Sequence, residues 1–166
     1  MTLEEFNNQE ITKAKELLFR CCGCTRWLDT IMNHFPFVSI EDLKLNSDHI
    51  WFALNERDWT EAFSHHPKIG ERPAGLKQQA SAEWATQEQS GIEHADKIIL
   101  KQLEEANKKY KEKFGFIFIV CATGKKAGEM LVMIHDRLNN NRAEELRIAA
   151  IEQNKITHLR IDKLLS

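Results

Sequence analysis

The stretch Phe116-Ile117-Phe118-Ile119-Val120-Cys121-Ala122 decides what kind of fold this chain can adopt. Its aromatic and β-branched residues pack well on a pleated surface, so by propensity it is a buried strand. No other stretch of the sequence offers it a partner strand. A lone strand leaves its backbone donors and acceptors without a ladder, which is costly away from water. The expectation is therefore an extended segment near 115–122 threaded through a helical core. Its backbone groups then need other partners, and a bound ligand is one candidate.

The flanking sequence is helical by periodicity. Upstream, Ala95, Ile98, Ile99, Leu103, Ala106, Tyr110 and Phe114 form a stripe, predicting a helix from His94 to Phe114 that is the longest clear one and stops at Gly115. Downstream, Thr123-Gly124 turns the chain into a helix with Ala127, Met130, Leu131, Ile134 and Leu138 inward. Asn139-Asn140-Asn141 reads as a loop and cap. The last helix, Arg142 to about Leu165, is highly charged but carries Leu146, Ala149, Ala150, Ile156, Leu159 and Ile161.

The first half reads as shorter helices. Asn7 or Asn8 can cap the first, whose face is Ile11, Ala14, Leu18 and Cys21, and Gly23 ends it. Thr25 can cap a second, Arg26 to about His34, closed by Pro36. Ser39 with Asp42 is close to a capping box before a short turn through Leu43 and Leu45. Ser47 and Asp48 start another helix burying Ile50, Trp51, Ala53 and Leu54, and Asp58 caps one through Trp59, Ala62 and Phe63. A further helix begins at Ser81 and stops at Gly91. The fold expected is all-α, a single compact domain over 1–166 with about eight helices.

With 166 residues, 42% hydrophobic and 29% charged, the chain has the composition of an ordinary globule large enough for an unstapled core. A net charge of -2 gives no reason to expect nucleic acid or an anionic membrane as partner. The basic run Lys108, Lys109, Lys111 and Lys113 is interrupted by acids and reads as a solvated helix face. No apolar run approaches the ~18 residues of a membrane span. The N-terminus lacks the basic and apolar regions of a signal peptide, and the C-terminus lacks a peroxisomal Ser-Lys-Leu, so a cytoplasmic location is expected. Cys21 and Cys24 make one Cys-x-x-Cys spacing with no second pair, in a helical rather than βαβ setting. Reduced, partly buried thiols are expected, with no metal.

Chemistry is best sought in Ser64-His65-His66-Pro67-Lys68-Ile69-Gly70-Glu71-Arg72-Pro73. Pro67 pushes His66 out of the α region, and Pro67, Gly70, Pro73 and Gly75 keep the chain irregular. A histidine at a helix end backed by a stiff turn suits proton transfer at neutral pH. It equally suits a helix stop with no chemistry. Glu88-Gln89 before Gly91 could serve a site or be solvated surface, and Arg160 among Ile156, Leu159 and Ile161 could bind a ligand or snorkel to water. No P-loop, dinucleotide fingerprint, nucleophile elbow or HExxH is present.

Four segments in order carry a resemblance. They are His65-His66-Pro67-Lys68-Ile69-Gly70, Trp84-Ala85-Thr86-Gln87-Glu88-Gln89-Ser90-Gly91, Tyr110 through Ile119, and Ile156-Thr157-His158-Leu159-Arg160-Ile161. With Asn139-Asn140-Asn141-Arg142 to Glu145, they resemble the decarboxylases of urate degradation that act on 2-oxo-4-hydroxy-4-carboxy-5-ureidoimidazoline (OHCU). The resemblance implies an all-helical, usually dimeric, cofactor-free enzyme that takes OHCU as its small-molecule substrate and yields (S)-allantoin. It implies His66 and Glu88 as catalytic, and Pro67, Gln89, Arg160 and the backbone of Phe116, Ile117, Phe118 and Ile119 as substrate-binding. Ala85 stands where many members of the family place a serine that touches the ligand, which weakens any claim for a hydroxyl contact there. Two rivals remain at this point. One is a metal-dependent helical phosphohydrolase, motivated by His135-Asp136 and His65-His66. The other is a helical interaction module without catalysis.

Overall fold

A computed structural model describes residues 1–70, 79–92 and 95–166, with the backbone alone for 79–82. Pro73, Gly75 and His94 lie outside the described residues. Among the described residues every regular element is helical. The described residues form nine α-helices: α1 (Leu3–Asn7), α2 (Ile11–Cys21), α3 (Thr25–Ile31), α4 (Ile40–Ala53), α5 (Glu56–Ser64), α6 (Gln79–Glu88), α7 (Lys97–Phe114), α8 (Ala127–Arg137) and α9 (Arg142–Leu164). Short 3₁₀ turns cover Met32–His34 and Ser90–Ile92. The all-α expectation holds, with one helix more than foreseen. Contacts divide the chain into two compact units, Met1–Ala62 with Gln153–Ser166, and Phe63–Glu152.

In the first unit, several helix boundaries differ from expectation, and each time a side chain has found another partner. An unforeseen helix, α1, is capped by Thr2, which accepts Glu5 N–H while the Glu5 carboxylate takes Thr2 N–H, and α2 follows Glu10 rather than an asparagine cap. Asn7 instead holds Phe37, donating to its C=O at 2.8 Å and accepting its N–H at 3.0 Å. That pin brings Phe37 against Phe6, and with Phe35 the three rings form an edge-and-stack cluster at 5.8–6.1 Å. Cys24 caps α3 through its sulfur, and α3 tightens to 3₁₀ at Met32 rather than running on to His34. Ser47 starts no helix. Ser39 caps one continuous α4, and Ser47 is buried inside it, accepting the Trp27 indole N–H at 3.1 Å. Ala53 is exposed, and only Trp51 of the expected face is buried. Asn55 caps α5, with Asp58 returning the bond to the Asn55 N–H.

All four cysteines are buried free thiols. Burial pushes the Cys22 and Cys121 thiols up, and Cys24 to about 11. These three stay protonated at neutral pH and so are poor metal ligands or nucleophiles.

The second unit is built around α7, α8 and the first part of α9. Asp96 starts α7 by bonding Ile98 N–H, and Gly115 ends it at φ 83, a conformation that glycine adopts freely. With 18 residues α7 is shorter than α9 at 23, which corrects the expectation that it is the longest. Its stripe is buried from Leu103 to Phe114, whereas Ile98 is exposed. The segment after Gly115 forms no strand, as expected. Phe116 and Phe118 pack edge-on against the Tyr110 ring at 6.0 and 5.3 Å. Gly124 turns the chain at φ 77, and a reciprocal Asn141–Glu144 cap starts α9.

Gly91, expected to end a helix, lies in the 3₁₀ turn after α6 instead. A Cβ there would fall 2.1 Å from the Lys125 carbonyl oxygen, so the chain needs glycine to let the two backbones meet. Gly91→Ala should destabilise the protein by about 1–3 kcal/mol, because the clash is with backbone and cannot be relieved by a rotamer. Thermal unfolding followed by circular dichroism tests this; an unchanged Tm would refute the close approach.

Candidate functional site

Within the second unit the expected catalytic segments are tied together. The helix α5 ends at Ser64, so His65 and His66 lie just past it rather than on it. His66 N–H closes the end by bonding Phe63 C=O at 3.2 Å. His65 is exposed and His66 half-buried, which separates the two imidazoles. The Phe63 ring stands 5.5 Å from that of Phe116, so the element delivering His66 packs on the start of the extended segment. Beyond Pro67, Asn107 on α7 donates to Ile69 C=O at 2.9 Å and holds the turn.

Glu88 is the last residue of α6, and it is buried, not solvated. Its charge contributes to raising the Cys121 thiol, after burial and the Glu152 carboxylate, so it lies near the end of the extended segment. Gln89 accepts Gly70 N–H at 3.0 Å and thereby joins the end of α6 to the turn after His66-Pro67. Gly91 against Lys125 adds a second tie. The sequence-expected residues His66, Pro67, Glu88, Gln89 and Phe116 to Ile119 thus belong to one connected framework.

The extended segment is buried, yet sparsely hydrogen-bonded. Phe118, Ile119 and Val120 are 1%, 2% and 3% exposed. Ile119 C=O accepts from Arg137 Nη1 at 2.6 Å, and Cys121 N–H donates to Glu152 Oε2 at 2.8 Å. The backbone groups of Ile117, Phe118 and Val120 make no hydrogen bond among the described residues. Buried backbone groups are nearly always paired, so such a stretch suits a polar ligand.

Behind the segment lies a network that sequence reasoning missed. Glu145 is wholly buried. One of its carboxylate oxygens takes Arg137 Nε at 2.5 Å and the Tyr110 hydroxyl, and the other takes Asn140 Nδ2 at 3.0 Å. Burial pushes the Tyr110 hydroxyl far up, so it remains a donor to the carboxylate. The Arg137 guanidinium also lies 4.5 Å from the centroid of the Phe118 ring. A signal was present: Arg137 follows Ala127, Met130 and Ile134 at buried helical spacing, where a charge requires a partner.

Arg160 sits in the other unit. It is buried rather than snorkelling, and its Nη1 donates to Arg20 C=O at 3.1 Å. His135 and Asp136 are exposed on α8. Among the described residues no group of three His, Cys, Asp or Glu side chains could hold a metal ion. Among them, too, no helix is long and apolar enough to cross a membrane. A cavity of about 980 Å³ opens beside Lys68–Gly70 and the lysine-rich face of α7, and neither His66, Glu88 nor Gln89 lines it.

Comparison with known proteins gives a consistent result. The family model for OHCU decarboxylase matches residues 7–162. The uric acid degradation bifunctional protein TTL of Arabidopsis thaliana is 42% identical over 148 residues, which is 88% of this chain and 45% of that protein. The chain therefore spans less than half the length of that relative. The 2-oxo-4-hydroxy-4-carboxy-5-ureidoimidazoline decarboxylase of Amia calva is 27% identical over 130 residues, covering 78% of this chain and 74% of the relative. A solved OHCU decarboxylase structure, determined in the presence of (S)-allantoin, superposes with a TM-score of 0.79 at 36% identity, covering 91% of this chain and 97% of its own.

The bond between Gln89 and Gly70 generates a local prediction. Gln89→Ala should speed amide exchange at Gly70 by roughly fivefold to tenfold, the equivalent of about 1 to 1.4 kcal/mol. Exchange measured by NMR at that amide checks it, and an unaltered rate would show that the bond does not hold the turn.

Proposed function

The chain belongs to the OHCU decarboxylase family, and on that premise we propose that it converts OHCU to (S)-allantoin in urate catabolism. The observation that carries this reading is the joining of His66, Glu88-Gln89 and a buried segment with unpaired backbone groups into one framework. The substrate is a small, polar anion whose ring amides and ureido group ask for several fixed donors and acceptors. A stretch of buried, unpartnered peptide groups, packed through Phe116 against Phe63 just before His66, offers them.

The reaction breaks the bond between the ring carbon and the carboxylate. Carbon dioxide leaves, and the electron pair moves into the ring. The ring nitrogen that receives the displaced electron pair takes up a proton. The hydroxyl proton is then lost as a ring carbonyl forms, and another proton adds to the neighbouring ring carbon on a single face, so one proton is taken up overall. His66 is the general acid/base for these transfers, because an imidazole exchanges protons near neutral pH. Glu88 and Gln89 hold the ureido and hydroxyl groups by hydrogen bonds. Pro67 and the side chains of Phe116 to Ile119 exclude water, which strengthens the polar contacts. Since Ile119 C=O is already bonded to Arg137, that residue has its N–H left to offer. Arg160 supplies the planar cation that meets a carboxylate or ring carbonyl. The ring itself holds the electron pair, so no cofactor is required by this scheme. The enzyme works as a homodimer in the cytoplasm.

Freshly generated OHCU, followed by circular dichroism with and without protein and chelator, tests the activity. Rapid, chelator-insensitive appearance of the optically active (S) product is expected; a rate equal to spontaneous decay would reject the reading. His66→Asn should lower turnover by about 10² to 10⁴ with helicity intact. Near-normal turnover of that variant would remove His66 from its role.

A further inference from the structure

The N–H and C=O of Val120 are among the unpaired groups of the extended segment, and both of its peptide bonds are anchored from behind. Ile119 C=O and Val120 N–H belong to one peptide unit. In a trans peptide these two groups point in opposite directions. The 2.6 Å bond from Arg137 to Ile119 C=O therefore aims Val120 N–H away from α8. The same holds one residue on. Val120 C=O shares its peptide unit with Cys121 N–H, which is held by Glu152 at 2.8 Å. Val120 C=O thus points away from α9. Two buried charged side chains, 7% exposed each, fix the two planes that flank a residue whose own donor and acceptor bond nothing among the described residues.

We propose that Arg137 and Glu152 are positioning residues for the decarboxylation, locking the two peptide planes around Val120 so that its N–H and C=O meet a ring amide of the substrate. This rests on the decarboxylase reading above. The substrate ring carries adjacent N–H and C=O groups, and one residue with both backbone groups free matches such an amide edge as a neighbouring strand would. Arg137 is suited to the task because its own placement is fixed. Glu145 grips its Nε, while Tyr110 and Asn140 grip Glu145, leaving Nη1 for the carbonyl. A bare stability role explains the pairing of Arg137 with Glu145, but not why the remaining donor goes to the one carbonyl that orients Val120.

The test is steady-state kinetics on Arg137→Lys and Glu152→Met, with Tm and far-ultraviolet circular dichroism as folding controls. A lysine ammonium keeps the charge beside Glu145 but cannot also reach Ile119 with a rigid fork. Glu152→Met removes the other anchor, the carboxylate that holds Cys121 N–H. Loosened peptide planes should raise KM on the order of tenfold in each, because the amide contact is made in both ground and transition states. Partial unfolding would instead lower apparent kcat and leave KM unmoved. As a readout independent of turnover, (S)-allantoin should slow exchange of the Val120 amide in the wild type and much less in Arg137→Lys. Wild-type turnover with an unchanged KM in both folded variants would overturn the positioning role alone. A wild-type protein that neither forms allantoin from OHCU nor binds it would overturn the decarboxylase reading, and this inference with it.

Discussion

A carboxylate with no access to water, Glu145, organises the second unit. It is placed by α9, answered by a guanidinium from α8 and a phenol from α7, and capped by an amide from the loop between α8 and α9. Removing any one partner would leave a buried charge short of a bond, which costs far more than the pair contributes. Three helices are thereby committed to one arrangement. The extended segment that runs between them is committed as well, since the same guanidinium holds its carbonyl and covers the Phe118 ring. Apolar packing against Tyr110 supplies area, whereas the ion pair supplies register.

That arrangement answers how a chain can keep irregular backbone in its interior. Glu152 and Arg137 take one donor and one acceptor, and Lys125 turns back to the Cys121 and Ala122 carbonyls. What remains unpaired among the described residues includes both backbone groups of Ile117, Phe118 and Val120 and the N–H of Ile119, in the segment that packs against Phe63 just before His66. The unit tolerates these open valences because its rigid parts over-determine the segment, as expected where strain or polarity is held for function.

The fold class was legible because a single strand-like run without a partner excludes a sheet, and because α2, α7, α8 and α9 announce themselves by spacing. The errors are of one kind. Asn7, Ser47 and Asp58 have the chemistry of caps, and each reads in the sequence as the start of the nearest helix. Asn7 holds Phe37, Ser47 satisfies an indole, and Asp58 answers a cap supplied by Asn55. Local sequence shows that a polar side chain will bond but not to what. The site divides similarly. His66, Glu88 and Gln89 were visible from resemblance and turn chemistry, whereas Arg137, Glu145 and Glu152 look like surface charges until helix registers place them inward. Glu88 reads equally well as surface in the sequence, yet it is buried at the end of α6, three residues before the close approach of Gly91 to Lys125.

The phenol that answers Glu145 belongs to the single tyrosine of the chain. Its ring touches Phe114, Phe116 and Phe118, so it contacts the anchor and the anchored segment at once. Isotope labelling of tyrosine alone would therefore give one resonance, free of overlap, at the centre of the framework. The protein carries its own reporter: ligand arrival, loss of a helix contact or exchange of the buried hydroxyl proton would each register at that nucleus without any foreign probe.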